Sequence, residues 1–202
     1  MARQARTRGF ITRRQSGGTI AAMVENRPKL LILGYGRHGK DSVAEMLRDN
    51  YGLNFKSSSL FVAEECLWEQ WGKERYATFD EMYKDRHNHR VTWMEMISAY
   101  NTPDKTKTAT TMLDRGLDMY VGMRRQDELE ACRKANLFDF IIWVERPGYP
   151  PEVGSMDITK ESSHWNYCIK NDGSLSDLEQ KVAEFHYQLT VIHGFHWRIP
   201  NE

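Results

Sequence analysis

Residues 29–42 read KLLILGYGRHGKDS, and this stretch decides the fold. It opens with an apolar run, KLLILG, which is typical of a short strand buried on both faces of a parallel sheet. A glycine-rich segment follows, in which Gly34 and Gly39 are separated by four residues and Lys40 comes directly after. A helix with apolar residues on one face is predicted from about Gly39 to Asn50. Strand, glycine-rich loop and helix in this order predict a loop that binds phosphate groups.

A loop of this kind binds phosphate for physical reasons. Its glycines let successive backbone N–H groups point inward, and the helix that follows presents its positive end to the same place. The lysine then reaches the β- and γ-phosphates, so we expect ATP to bind here. The residues predicted to contact it are those of the loop and the first helical turn: Gly34, Gly36, Arg37, His38, Gly39, Lys40, Asp41 and Ser42.

The position after Lys40 departs from the usual pattern. The pattern has Ser or Thr there, whose hydroxyl binds Mg²⁺, whereas this chain has Asp41 followed by Ser42. A carboxylate is a good ligand for a hard cation, so we predict that Asp41 holds Mg²⁺, directly or through water. Ser42 is the second candidate ligand. Two other roles for Asp41 stay open: it orients the attacking phosphate, or it neutralises part of the charge of Lys40.

The rest of the chain alternates between strand and helix patterns. Further strands are predicted at Leu53–Lys56, Asp118–Met123, Phe138–Val144 and Trp165–Ile169. Helices are predicted at Leu60–Trp71, Thr78–Asp85, Val91–Tyr100, Lys105–Arg115, Gln126–Ala135 and from Leu175 to about Ile192. Apolar residues at helical spacing are expected in the core, among them Trp93, Met94, Ile97, Leu175 and Ile192. This alternation predicts an α/β fold, a three-layer sandwich around a mainly parallel sheet.

Composition and charge narrow the class of protein. The 202 residues suit one α/β domain, and 40% hydrophobic with 28% charged residues is ordinary for a globular protein. Residues 1–22 carry five arginines and no acid, so the remainder has 23 basic against 28 acidic residues. The folded part therefore lacks the basic balance of a nucleic-acid binder, and we expect no nucleic-acid partner for it.

The two ends of the chain are predicted to behave differently. We expect a basic, flexible arm at residues 1–27 and one domain at residues 28–202. The arm has the composition of a transit peptide or a disordered tail; alternatively, Met23 is the start and the preceding residues are extra leader. The three cysteines fit neither a metal site nor a disulfide framework, and no apolar run approaches a membrane span. We therefore expect a cytoplasmic protein with free thiols and no membrane partner.

The loop resembles that of a known family. GYGRHGKDS followed by VAEML, residues 34–47, is similar to the P-loop of phage-type deoxynucleoside monophosphate kinases, in which Gly-Lys-Asp followed by Ser or Thr is characteristic. Animal-type phosphomevalonate kinases share the Gly-Lys-Asp variant. The resemblance therefore implies a P-loop kinase fold that uses ATP and Mg²⁺, and it leaves the acceptor open.

Two further patches extend the resemblance. MYVGMRRQDELEA, residues 119–131, is similar to the family's segment Asp-Val-Arg-Phe-x-Asn-Glu-Ala, which implies that Arg124 takes the arginine position and Glu128 the glutamate. Gly122 stands where the family has an aspartate near Mg²⁺, so more weight falls on Asp41. YCIKNDGSLSDL, residues 167–178, is similar to the strand–turn–helix ending of these kinases and of dephospho-coenzyme A kinases. That likeness implies that Asn171, Asp172 and Gly173 lie beside the adenine of ATP.

The acceptor is expected to meet arginines, because phosphoryl transfer needs positive charge around the transferring group. Arg124, which is also a candidate catalytic residue with Lys40 and Asp41, ends a predicted strand. The other candidates lie at the end of the second predicted strand, in a helical insert at about 60–116, next to Arg124, or at a lid-like loop at about 146–163. They are Ser58, Arg86, Arg90, Arg125 and Arg146. For Arg86, Arg125 and Arg146, a solvated surface charge is an equal alternative.

The sequence thus predicts ATP-dependent phosphoryl transfer to a (deoxy)nucleoside monophosphate, giving the diphosphate. Two alternatives remain: a P-loop kinase for another small phosphorylated acceptor, and a nucleotide-binding module without catalysis. A GTPase is disfavoured, since the base-reading motif Asn-Lys-x-Asp is absent from the sequence. The expected partners are small nucleotides, and a homodimer is an open possibility.

Overall fold

The computed structural model describes residues 25–151, 154 and 156–199. A five-stranded sheet forms its centre: β1 (Leu30–Leu33), β2 (Phe55–Ser57), β3 (Met119–Val121), β4 (Phe140–Glu145) and β5 (Tyr167–Lys170). The strands lie in the order β2-β3-β1-β4-β5, and every neighbouring pair is parallel. The predicted α/β class with a mainly parallel sheet is confirmed. All four predicted strands after β1 exist, with ends shifted by up to two residues.

Helices follow the strands as predicted, with some changes of type. The α-helices are α1 (Lys40–Tyr51), α2 (Ser58–Val62), α3 (Phe79–Asp85), α4 (Arg90–Tyr100), α5 (Lys107–Asp114), α6 (Gln126–Lys134) and α7 (Leu175–Tyr187). A π-helical segment, Ala63–Gly72, extends α2, and a second one, Gln188–Ile192, extends α7. A 3₁₀ turn, Arg86–His89, joins α3 to α4. Among these helices of the described residues, none combines the length and the apolar character that crossing a bilayer requires.

The sheet separates two hydrophobic cores. Side chains alternate along a strand, so Leu30 and Ile32 of β1 face one core while Leu31 and Leu33 face the other. The first core contains α1 and α7, and the second contains the helices between β2 and β3 together with α6. Each of these leucines is fully buried and contributes roughly 1.5–3 kcal/mol to folding. The three layers expected from the sequence are present.

Three residues that were predicted to lie in the core are exposed instead. Leu175 is 66% exposed because it is the first residue of α7, beyond the edge of the sheet. Ile192 is 58% exposed because the change to π-helical pitch at Gln188 rotates it off the apolar stripe of α7. Met94 is 39% exposed because it lines a cavity, described below.

Residues just before residue 28 contact the body of the fold. The Arg27 guanidinium binds the Asp118 carboxylate, with a shortest nitrogen–oxygen distance of 2.7 Å, and Asn26 pairs with His196 in an isolated antiparallel bridge. Asp118 immediately precedes β3, so this ion pair ties the entry of the chain to the sheet. Residues 1–24 of the predicted arm lie outside the described residues, as do three residues of the predicted lid-like loop.

Candidate functional site

The loop between β1 and α1 closes tightly against two neighbouring strand ends. Gly34 has φ +152°, and a Cβ there would lie 2.5 Å from the Val144 carbonyl oxygen. Gly39 has φ +97°, and a Cβ there would lie 2.5 Å from Nδ2 of Asn171. Side chains are excluded at both positions, since real Cβ atoms do not approach other atoms this closely. The two glycines therefore serve the close packing of the loop against β4 and the turn after β5.

The N-terminus of α1 is open. Gly39 is its N-cap and offers no side chain to the first turn, and the first helical bond runs from the Val43 N–H to the Gly39 carbonyl. The N–H groups of Lys40, Asp41 and Ser42 therefore occupy the positions that no intrahelical carbonyl can satisfy. These donors and the helix dipole favour an anion at this point. The predicted phosphate-binding loop has the geometry its sequence implies.

His38 anchors the middle of this loop. Its side chain is 5% exposed, its Nδ1 accepts a hydrogen bond from the backbone N–H of Arg146 at 3.1 Å, and its carbonyl accepts one from Nδ2 of Asn171 at 3.2 Å. Since Nδ1 accepts, the proton of the neutral imidazole is on Nε2, which has no hydrogen-bond partner in the described part of the chain. The ring edge contacts Tyr35, with centroids 5.4 Å apart. The ends of β4 and β5 thus fix the loop.

A cavity of about 300 Å³ lies in front of Lys40. We name it the cation-lined cavity, because Lys40 and three arginines, Arg86, Arg90 and Arg124, line it. Asp41 and Ser58 complete the part of its wall nearest the loop. Residues from α1, from the helical insert and from the end of β3 therefore meet here, as the sequence predicted. The Arg86 guanidinium is held by the Tyr83 carbonyl at 2.8 Å and lies over the Tyr83 ring.

A second cavity, of about 290 Å³, adjoins the first and shares six lining residues with it: Ser58, Ser59, Met94, Ile97, Gly122 and Arg124. We name it the apolar cavity, since Val62, Met94, Ile97 and Tyr120 form much of its wall. Arg125 and Glu128 also line it. From the sequence, Met94 and Ile97 were assigned to the core, and Tyr120 was not considered. Glu128 was placed at the glutamate position of the resembling family but was not connected with a cavity. One signal was visible: Glu128 lies four residues before Cys132 on the buried face of α6.

Not every predicted site residue reaches a cavity. Arg146 lines neither of the two, and its guanidinium lies over the Tyr149 ring, 4.3 Å from the centroid. Arg125 lines the apolar cavity but not the cation-lined one, and its side chain is 52% exposed and forms an ion pair with Asp157 at 3.3 Å. Asn171 contacts the loop backbone, and Asp172 pairs with Lys181 at the surface. Gly173 lies in the same turn, where a Cβ would meet the Asp177 carboxylate.

The surroundings of Lys40 fit a magnesium ion that arrives with phosphates. A Cβ at Gly122 would lie 3.4 Å from Cε of Lys40, so the position where the resembling kinases have an acid is indeed beside the lysine. Asp41 is 59% exposed and lies 3.7 Å from Nζ of Lys40. In the described ranges, no three His, Cys, Asp or Glu side chains form a complete metal site. Mg²⁺ needs only one or two carboxylates when phosphates and water supply the rest, and Asp41 with Ser42 meets that need.

Comparisons with known proteins identify no family. No protein-family model matches the chain, and no curated protein matches it. Among solved structures, a candidate kinase from Chloroflexus aurantiacus shares 15% identity with a TM-score of 0.46, over 82% of this chain and 98% of that one. An unliganded sugar kinase from a Janibacter species shares 12% identity with a TM-score of 0.43, over 82% and 95%. Similarity at this level carries no argument about the reaction, which is inferred from the loop and cavities themselves.

Proposed function

We propose that this chain is an ATP-dependent kinase that transfers a phosphoryl group to a nucleoside monophosphate, giving the diphosphate. One observation carries the proposal: Lys40 is the first residue of the helix behind the phosphate loop, and it also lines the cavity that Arg86, Arg90 and Arg124 surround. A phosphate bound by the loop and a phosphate bound by the arginines would therefore meet at one lysine. That is the arrangement phosphoryl transfer between two phosphorylated molecules requires.

Each group of site residues has a role in the proposed reaction that follows from its position. The N–H groups of the loop and the first turn of α1 bind the phosphates of ATP, and Lys40 offsets the negative charge of the transferring group. Arg124 and Arg90 hold the phosphate of the acceptor, and Arg86 adds positive charge to the same cavity. Asp41 and Ser42 hold Mg²⁺. When bound, Mg²⁺ supplies further neutralisation of the phosphate oxygens. The helices of the insert form one wall of this cavity.

The apolar cavity favours a nucleotide over other phosphorylated acceptors. It continues the cation-lined cavity past Arg124, and its wall offers an aromatic ring, Tyr120, and the long side chains of Met94 and Ile97. These surfaces suit the flat faces of a base. A kinase for another phosphorylated compound would need the arginines and would have less use for this second cavity. That the acceptor is a deoxynucleotide rests on the resemblance of the loop alone.

The adenine of ATP is proposed to lie near the turn after β5. Asn171 touches the loop through the His38 carbonyl, so the turn of Asn171, Asp172 and Gly173 adjoins the phosphate site. Arg146 also contacts the loop, since its backbone N–H donates to His38 Nδ1, and its guanidinium lies over the Tyr149 ring. A base between these groups would stay clear of both cavities and leave them to the acceptor.

The test is an ADP-release assay with Mg²⁺–ATP and each common ribo- and deoxynucleoside monophosphate. The proposal predicts release that depends on at least one of these acceptors and a diphosphate product. If ADP release depends only on a different phosphorylated compound, such as a phosphomevalonate-like acceptor, the protein is a kinase for that substrate class. Tight ATP binding without turnover on any acceptor would instead support the non-catalytic module.

A further inference from the structure

The apolar cavity contains a buried carboxylate that the proposed transfer does not use. Glu128 lies on α6, is 4% exposed and lines this cavity. One of its oxygens, Oε1, accepts a hydrogen bond from Nδ2 of Asn101 at 2.8 Å. Burying a carboxylate in apolar surroundings costs free energy unless the group is hydrogen-bonded or paired with a cation. The position of Glu128 in this wall therefore needs a physical explanation.

The network behind Glu128 fixes the direction of that hydrogen bond. The Asn101 side chain is buried, and its Oδ1 accepts from the backbone N–H of Thr108 at 3.1 Å and from the Thr108 hydroxyl at 2.7 Å. A backbone N–H can only donate, so this contact assigns Oδ1 to Thr108 and leaves Nδ2 to face Glu128. Glu128 is therefore an acceptor in this network. α4, α5 and α6 are joined by it, and the carboxylate is held in place.

Glu128 has no counter-ion among the described ion pairs. Lys105 and Arg125 exert an electrostatic effect on Glu128, but they pair with other carboxylates, Lys105 with Asp127 at 3.1 Å and Arg125 with Asp157 at 3.3 Å. Burial raises the pKa of Glu128 above its ordinary value, and the hydrogen bond from Asn101 offsets only part of that effect. The fold thus keeps an incompletely satisfied acceptor at the wall of a cavity, which is more typical of a binding group than of a structural one.

We infer that Glu128 selects the base of the acceptor by accepting a hydrogen bond from an exocyclic amino group. The inference rests on the proposed function and adds the substrate class: monophosphates of cytosine, adenine or guanine. Uracil and thymine present a carbonyl oxygen where cytosine has its amino group, and two acceptors facing each other in an apolar cavity repel. Arg124 lies in both cavities, so a phosphate held there places the attached base beside Tyr120 and Glu128.

The experiment compares dCMP with dUMP, which differ at C4, an amino group against a carbonyl oxygen, and at the adjacent N3, which carries a proton only in uracil. Steady-state transfer and equilibrium binding are measured for the wild type, for Glu128→Gln and for Glu130→Gln. Glu130 is two residues further along α6 and exposed, so its variant is the matched control. The wild type is expected to prefer dCMP about tenfold or more in kcat/KM and in binding. Glu128→Gln, whose amide can face the carbonyl of dUMP, is expected to lose that preference, and Glu130→Gln to keep it.

The outcomes separate this inference from the proposed function. Transfer to nucleoside monophosphates with equal efficiency for dCMP and dUMP in the wild type overturns the selection by Glu128 and leaves the kinase intact. A preference for dCMP over dUMP that persists in a folded Glu128→Gln variant likewise overturns the selection by Glu128 and leaves the kinase proposal intact. Absence of transfer to and binding of every nucleoside monophosphate overturns both. The wild-type comparison decides the matter even where a variant fails to fold.

Discussion

At the scale of single residues, Asp41 and Glu128 are the two carboxylates on which the site depends, and their surroundings differ. Asp41 is more than half exposed at the start of α1, next to Lys40, where a cation with its own water and phosphate ligands can reach it. Glu128 is buried against an amide and apolar side chains. The first is suited to a metal ion, and the second to a hydrogen-bond donor of the acceptor.

Replacing Asp41 by Asn is predicted to raise the Mg²⁺ concentration needed for half-maximal transfer by about tenfold, because a neutral amide is a weaker ligand than a carboxylate. The measurement is a magnesium titration of ADP release at saturating ATP. Asp49→Asn is the matched control, since Asp49 lies on the same helix, pairs with Arg48 and is distant from the loop. An unchanged magnesium requirement in Asp41→Asn would remove Asp41 from the metal site.

Glu128 also has a consequence for stability. Its pKa is raised in the folded chain, so the folded state favours the protonated form and loses stability as the pH rises from the ordinary value of 4.5 through the folded value. The free energy of unfolding of Glu128→Gln, relative to that of the wild type, is therefore predicted to be higher at pH 8 than at pH 3, which lies below the ordinary pKa of 4.5. Urea unfolding at the two pH values checks this, and an equal difference at both would contradict it.

At the scale of elements, the phosphate loop takes its shape from neighbours that are distant in the sequence. The N–H of Arg146, after β4, donates to His38, and Asn171, after β5, donates to the His38 carbonyl. β1 lies beside β4, and β4 beside β5, so these three strand ends are adjacent at one edge of the sheet. The loop is therefore held by the sheet and not only by its own glycines.

Asn171→Asp is predicted to weaken ATP binding about tenfold, because it replaces a donor by a carboxylate that repels the His38 carbonyl and leaves it without its partner. Titration with ATP measures the effect directly. The control is Asn54→Asp, because the Asn54 Nδ2 also donates to a backbone carbonyl, that of Gly116, but Asn54 precedes β2 at the opposite edge of the sheet, so this variant should bind ATP like the wild type. Equal affinities for all three proteins would show that Asn171 does not position the loop.

At the scale of the whole molecule, the sequence was most informative where a local pattern suffices. Buried strands were predicted from two apolar runs, KLLILG and, at residues 138–144, FDFIIWV. The loop was predicted from the GYGRHGK segment. The order of strands was beyond such patterns, because the pairing of β3 with both β1 and β2 depends on a crossover of about 60 residues. The helical spacing of Met94 with its apolar neighbours predicts a position in the hydrophobic core. Only the tertiary structure shows that Met94 lines a cavity, together with Tyr120 of β3.

The positions of charged side chains relative to the cavities are equally hard to predict from the sequence. Arg86, Arg90 and Arg124 were predicted at the acceptor, and they line one cavity. Arg146 looked similar in the sequence, yet it lies beside Tyr149, on the far side of the loop. Nothing local distinguishes these arginines, since their positions are set by which strand ends come together. Glu128 is a second example. A charged residue in a helix is normally solvated, but Glu128 is buried where α4, α5 and α6 meet.

The most direct measurement is ADP release by the wild type and by Lys40→Ala across the nucleoside monophosphates, with Lys73→Ala as control. Lys73 is an exposed lysine of the helical insert that pairs with Glu69. The wild type should release ADP in an acceptor-dependent manner, and Lys40→Ala should be slower by about a hundredfold or more while unfolding at a similar temperature. Lys73→Ala should match the wild type. A Lys40→Ala variant that retains full activity would contradict the role of this loop in phosphoryl transfer.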